Sequence, residues 1–181
     1  MTTLAEIRSA ASADTFPVDR LVGLRTAGAF FCGAFLGRQD VVHLSDAGLT
    51  VEAFDIDAAK VAEMRAAYPG TVQLHVADAY AVAANYGRIG IKYDVVTVDP
   101  WTNEIPRALD LLQAWCRLAS AYVVIGVSAV WFDALMIDRT AEGVQVWLEG
   151  RFPELAWRVA ELRQRSTHMG GIWWAVLEPK P

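Results

Sequence analysis

The sequence predicts a three-layer α/β fold, a mostly parallel sheet covered by helices and finished by an antiparallel C-terminal hairpin. Three observations carry that expectation. Short apolar runs alternate with amphipathic stretches of helical length, the pattern of parallel strands joined by crossover helices. Hydrophobic residues make up 54% of the 181 and charged residues only 20%, an apolar excess that a sheet buried on both faces absorbs. The last quarter abandons the alternation for two strand-like runs around a glycine-containing loop.

Residues 1–26 read as an N-terminal helical segment ahead of a core over 27–181, together one domain, 1–181. The first strand is 27–32, followed by Gly33 and Gly37. The second, 49–54, ends at Asp55-Ile56-Asp57. Val61, Met64 and Tyr68 recur at helical steps after Asp57, a suitable N-cap, and Pro69-Gly70 stops that helix. The third strand, 72–77, ends at Asp78 and the fourth, 93–98, at Asp99-Pro100-Trp101.

Ile105, Ala108, Leu109, Leu112, Trp115 and Ala119 share one helical face, with Thr102 or Asn103 as cap. Residues 121–127 form the most apolar run and the best candidate for a central strand. Val144, Trp147, Leu148 and Phe152 give a further helix entered near 138–140. Residues 156–165 and 172–177 form the hairpin around loop 166–171. Trp173 and Trp174 must point to opposite faces, so one of them belongs to the core.

Composition excludes several function classes. The longest uncharged stretch, 118–132, holds two serines and a glycine and falls short of the roughly 18–20 apolar residues a membrane span needs. A net charge of -5 and a pI near 5.2 argue against a domain held to nucleic acid by charge alone; a local basic patch stays open. Residues 1–13 carry Glu6 and Arg8 and lack the apolar core of a secretory signal, so a cytoplasmic protein is expected. Cys32 and Cys116 have no metal-type spacing and read as buried small hydrophobes, with no metal site.

The chemistry concentrates at strand ends. In open parallel sheets ligands bind beyond the carboxyl ends of the strands, where strand order reverses. Three of the first four strands end in an acid, Asp55, Asp78 and Asp99, and the first ends in a glycine-bearing turn. Each acid alone is an ordinary helix cap or turn former. Together they suit a nucleoside: Asp55 follows Gly33 at about the 20-residue spacing of an acid that accepts both ribose hydroxyls. Neither Gly-x-Gly-x-x-Gly nor a Walker sequence is present, which speaks against a pyrophosphate or triphosphate ligand.

The order of glycine turn, Phe-Asp-Ile-Asp, Val-Ala-Asp-Ala, Tyr-Asp-Val-Val-Thr-Val-Asp-Pro-Trp and terminal hairpin resembles the class I S-adenosylmethionine-dependent methyltransferases over residues 27–177. The resemblance implies their Rossmann-like seven-stranded sheet, its last strand antiparallel beside the fifth, and S-adenosylmethionine (SAM) as cofactor. It implies that Cys32, Gly33 and Gly37 line the methionine part, Asp55 holds the ribose, and Ile56 touches the adenine. Asp78 would accept the adenine amine with Ala79 beside it, while Asp99, Pro100 and Trp101 would face the transferred methyl group. Family members carry an acid two residues before the first glycine and a further glycine within the turn; here stand Phe31 and Phe35, either core or a closed cofactor site. Methyltransferases acting on base amino groups carry Asp or Asn, two prolines and an aromatic where this chain has Asp99-Pro100-Trp101, with one proline; the plain alternative is a strand-end turn and a core aromatic.

The expected function is methyl transfer to an amine or hydroxyl of a small molecule or nucleobase, with no membrane partner and the oligomeric state open. The alternative is a non-catalytic scaffold on the same fold, presenting its tryptophans to a partner; aminopropyl transfer is a third. Arg158, Arg163, Arg165 and His168 make the hairpin basic, either to meet an anion or to protect an edge strand. His75 reads as structural, and His168 is the candidate general base.

Overall fold

The computed structural model describes residues 3–11, 15–32, 38–68, 70, 72–100, 104–165 and 171–181, and only the backbone of residues 10, 11, 38, 39, 165 and 172. Its strands are β1 (Thr26–Cys32), β2 (Thr50–Asp55), β3 (Val72–Val76), β4 (Tyr93–Pro100), β5 (Ala119–Ser128), β6 (Trp157–Arg165) and β7 (Ile172–Pro179). They form one sheet in the order β3-β2-β1-β4-β5-β7-β6, parallel except for β7, which runs antiparallel between β5 and β6. Both the parallel body and the terminal hairpin match the expectation.

The helices are α1 (Leu4–Ala11), α2 (Arg38–Asp46), α3 (Ala58–Ala67), α4 (Ala79–Ile89), α5 (Ile105–Asp110), α6 (Leu112–Leu118), α7 (Ala129–Ala134) and α8 (Ala141–Arg151). Two apolar clusters lie on opposite faces of the sheet. One joins Phe30, Phe54, Val96, Val98, Val123 and Ile125 to α4, α5, α6, α7 and α8. The other joins Ala27, Ala29, Phe31, Val51, Val95 and Trp174 to α1, α2 and α3. Phe31 is 2% exposed and is therefore core; Phe35 lies outside the described residues.

Several boundaries follow the sequence chemistry. Asp57 caps α3, accepting from the N–H groups of Ala59 and Lys60, and Thr140 caps α8 through the Gly143 N–H, satisfying donors that a helix start leaves open. Other boundaries depart from expectation. The helix expected across 105–119 breaks at Leu111 into α5 and α6. At that point the buried Trp115 indole Nε1–H donates to the Ala108 carbonyl, 2.9 Å away, the oxygen that the Leu112 N–H of a continuous helix would use. Glu104 occupies the N-cap position of α5, without a side-chain cap; Thr102 and Asn103 lie outside the described residues.

The fourth strand continues past 98 to Pro100, which pairs with Cys32. Asp99 and Pro100 are therefore buried strand residues and not part of a turn. The apolar run expected to form a central strand is β5, which lies inside the sheet between β4 and β7, with β4 at the middle position. Trp173 and Trp174 do split between faces. Trp174 is wholly buried, and half-buried Trp173 packs edge-on to Phe132 at 6.0 Å.

Along the outer hairpin strand, Arg158 pairs with Glu178, and Arg163 with Asp19 and Glu161. These arginines are neutralised by neighbours, the pattern of a charge-protected edge; the Arg165 side chain and His168 lie outside the described residues. Cys32 and Cys116 are free and buried, as expected.

Gly28 sits in β1 where an added Cβ would lie 2.7 Å from the Tyr93 ring and 2.9 Å from Phe30. Gly28→Ala is expected to lower stability by about 1–3 kcal/mol through overpacking. Gly150→Ala in α8, where nothing lies within 4 Å, should raise it by up to about 1 kcal/mol. Urea unfolding midpoints of the two variants check both signs.

Candidate functional site

The chain winds from β1 out to β3, then returns to place β4 on the other side of β1. Strand order therefore reverses between β1 and β4, and the crevice for a ligand lies beyond their carboxyl ends. There Phe31 stands across from Asp99 and Cys32 across from Pro100. Among the described residues the buried polar side chains are Asp40, Asp55, Thr97 and Asp99. Asp55 alternates along β2 with Val51 and Ala53, and Thr97 and Asp99 along β4 with Val95, placing all three on the face covered by α1, α2 and α3. Asp40 lies in the first turn of α2.

Asp55 ends β2 at 1% exposure. Its Oδ1 accepts the Asp57 N–H at 2.7 Å, while Oδ2 is buried with no hydrogen-bond partner among the described residues. Burial pushes its carboxyl above the ordinary range, against the Asp57 N–H bond that lowers it. Beside it Ile56 is 63% exposed, a bare apolar side chain at the crevice. Such an arrangement offers one spare carboxylate oxygen next to an apolar ledge.

Asp78 ends the next connection and caps α4, its Oδ1 accepting the Tyr80 N–H at 2.9 Å; Ala79 behind it is buried. The other oxygen faces the Arg107 guanidinium at 3.9 Å. Arg107 in turn lies 3.9 Å from the centre of the Tyr80 ring and 3.8 Å from Glu104, and the Tyr80 hydroxyl donates to Glu104 Oε2 at 3.2 Å. Burial raises the Tyr80 phenol pKa and pushes the Cys32 thiol beside it up to about 12, so Cys32 is a neutral wall and not a nucleophile. Sequence reading missed this cluster of Tyr80, Glu104 and Arg107. The only available signal was the three-residue spacing of Glu104 and Arg107; their approach to α4 is a tertiary fact.

Asp99 is 8% exposed. Its Oδ1 lies only 2.7 Å from where a Cβ on Gly126 would stand, with the Trp174 ring 3.4 Å from the same point. Gly126 has no unusual backbone angle, so the glycine provides space and not conformational freedom. The Asp99 carboxylate is thus seated over β5, between a bare backbone and an indole. Pro100 is buried beside it, while Trp101, Gly33 and Gly37 lie outside the described residues. His75 stacks on Phe54 at 4.9 Å, the structural role expected of it. Among the described residues no three potential ligands gather to hold a metal, and no helix is long and apolar enough to cross a membrane.

The described residues fit an adenosyl ligand. Among the described residues the buried Asp55 Oδ2 has no hydrogen-bond donor, and a ribose hydroxyl supplies one.

No protein-family model and no curated protein matches the sequence. Solved structures do match in shape. A candidate SAM-dependent methyltransferase from Streptococcus mutans superposes with a TM-score of 0.67 at 14% identity, over 89% of this chain and 46% of that one. TrmN from Thermus thermophilus gives 0.59 at 17% identity, over 98% and 49%. An rRNA methylase from Streptococcus thermophilus gives 0.53 at 12% identity, over 91% and 94%. The chain thus spans about half the length of the first two and nearly all of the third. Its fold is that of the class I SAM-dependent methyltransferases.

Two experiments test the site's construction. Gly126→Ala should cost about 1–3 kcal/mol by displacing the Asp99 carboxylate. In an Asp99→Ala background that cost should largely vanish, a non-additivity read from paired denaturation curves. The second test uses pH. Because burial raises the Asp55 carboxyl, the folded chain binds a proton that the unfolded chain has released, and stability falls as pH rises from about 4 through the raised value. Asp55→Asn should therefore be the more thermostable form at neutral pH, with the difference closing in acid.

Proposed function

We propose that the chain is a cytoplasmic SAM-dependent methyltransferase and that its cofactor occupies the crevice between β1 and β4. The observation that supports this most directly is the spare buried oxygen of Asp55 at the end of β2. Asp55 would accept the ribose hydroxyls, Ile56 would cover one face of the adenine, and Asp78 with Ala79 would meet its amino edge. Cys32, Gly33 and Gly37 would line the methionine portion.

The acids speak for a cationic nucleoside. Asp55 and Asp99 are buried at the ends of β2 and β4, the strands that flank β1, where carboxylates oppose a phosphate and favour a sulfonium or an ammonium. Bound there, SAM would supply an electrophilic methyl group on its sulfonium. Asp99, seated against Gly126, would accept a hydrogen bond from the N–H or O–H of the methyl acceptor and hold its lone pair toward the crevice. Pro100 and Trp101 would border that acceptor. Fixing acceptor and methyl group in line supplies much of the acceleration in a direct transfer. The acceptor is an amine or hydroxyl; an rRNA methylase stands among the neighbours in fold, so RNA belongs with small molecules and nucleobases as acceptor classes. The scaffold alternative loses support, because Trp174 is buried and Trp173 packs on Phe132.

Isothermal titration with SAM and with S-adenosylhomocysteine is the test. Both should bind, ATP should not, and Asp55→Ala should weaken both by about tenfold or more, about 1.4 kcal/mol. Absence of heat with SAM and with S-adenosylhomocysteine would overturn the proposal.

A further inference from the structure

A second surface lies beside the sheet, where α7 hands the chain to α8. The α7 helix stops in a Schellman turn: the Ile137 N–H donates to the Phe132 carbonyl at 2.9 Å, and Ile137 packs into the core beside Phe132. The residue that must then turn left-handed is ordinarily glycine. Here it is Met136, at φ 52 and 93% exposed. A long apolar side chain thus occupies a backbone conformation that L residues avoid, and nearly all of it is offered to solvent.

Met136 forms one wall of a groove of about 390 Å³ whose other side is Val146 and Trp147 of α8. Gly143 lets the two walls close at one end, since a Cβ there would stand 2.5 Å from the Asp138 carbonyl. Val146 is 64% exposed. Glu142, Val146 and Glu149 follow at helical steps of four and three, one stripe of α8, and Asp138 closes the opposite rim.

The charge of this rim is one-sided. Its arginines are committed elsewhere, Arg139 to Asp133 at 2.6 Å and Arg151 to Asp110 at 3.1 Å. Among the described residues no ion pair reaches Asp138, Glu142 or Glu149, and Glu149 accepts only a neutral bond, from Gln145 at 2.7 Å. A groove of mixed polar and apolar lining, with exposed Asp138 and Glu142 on its edge and exposed Glu149 further along the Glu142–Val146 stripe of α8, repels nucleic acid and anionic lipid and complements a cationic chain. Groove-to-groove pairing of two copies would oppose like charges.

We propose that the groove between α7 and α8 docks a polypeptide segment of a partner protein, one that presents apolar side chains flanked by lysine or arginine. Met136 and Val146 receive the apolar side chains, methionine being an adaptable contact surface, and Asp138, Glu142 and Glu149 receive the cations. This docking does not depend on methyl transfer.

Fluorescence anisotropy on the full chain tests it, with a fluorescein-labelled amphipathic peptide of leucine and lysine, its leucine and glutamate twin, and a single-stranded RNA. The lysine peptide should bind, and the twin and the RNA should not. Met136→Gly suits the turn better, so its thermal midpoint should rise while affinity for the lysine peptide falls about tenfold; a contact kept only for the fold would show no such opposition. Val146→Glu should also weaken binding, and Glu142→Lys with Glu149→Lys should transfer preference to the glutamate peptide. Equal binding of the two peptides, preferential binding of RNA, or undiminished affinity in Met136→Gly would overturn the proposal.

Discussion

Burial of the central strands on both faces is the constraint from which the rest of the architecture follows. From Ala27 to Cys32, every side-chain-bearing residue of β1 is within 2% of complete burial, and Val95, Val96 and Val98 of β4 are wholly inside. A side chain there has nowhere to meet water, so each polar group would carry the desolvation cost of an unpaired donor or acceptor. Fully buried charge is therefore pushed to the strand ends, and the neutral Thr97 is the buried polar side chain inside β4 among the described residues. The buried acids Asp55 and Asp99 stand at the ends of β2 and β4, with Asp40 in the first turn of α2. The cost of holding them there is visible in the raised carboxyl of Asp55.

Space for those groups comes from glycine. In β1, Gly28 yields its place to the ring of Tyr93, whose hydroxyl donates to Glu52. In β5, Gly126 yields its place to the carboxylate of Asp99. Neither has a left-handed backbone, so each is present for what its neighbour strand places above it. The first serves packing and the second the crevice, two uses of one device in a sheet with no room to spare.

Much of this was legible in the sequence because it is local. Apolar runs marked the strands, Asp57 and the segment 138–140 marked helix starts, and the loss of alternation near the end marked the hairpin. The acids at 55, 78 and 99 were found by their positions at strand ends alone. What was not legible is tertiary. Nothing in 105–119 announces that Trp115 will take the Ala108 carbonyl and divide the helix. The apolar content of 121–127 suggested a central strand, and β5 is one; that β4, interrupted by Thr97 and Asp99, takes the middle position was not legible, because hydrophobicity reports burial on two faces and not rank in the sheet. The contact of Tyr80 and Asp78 with Arg107 joins helices far apart in the chain. Met136 escaped because a left-handed helix stop is read from glycine, and none is there. Phe31 resolved as core through its place in the face covered by α1, α2 and α3.

The central claim is that the acidic crevice at the reversal of strand order is built for an adenosyl cation, with Asp55 as its ribose anchor. A crystal structure of the chain grown with S-adenosylhomocysteine tests it most directly. The account predicts the nucleoside beyond the ends of β1 and β4, its ribose hydroxyls on the Asp55 carboxylate and its adenine against Ile56. An empty crevice at saturating ligand, or a ligand bound away from Asp55, would contradict it.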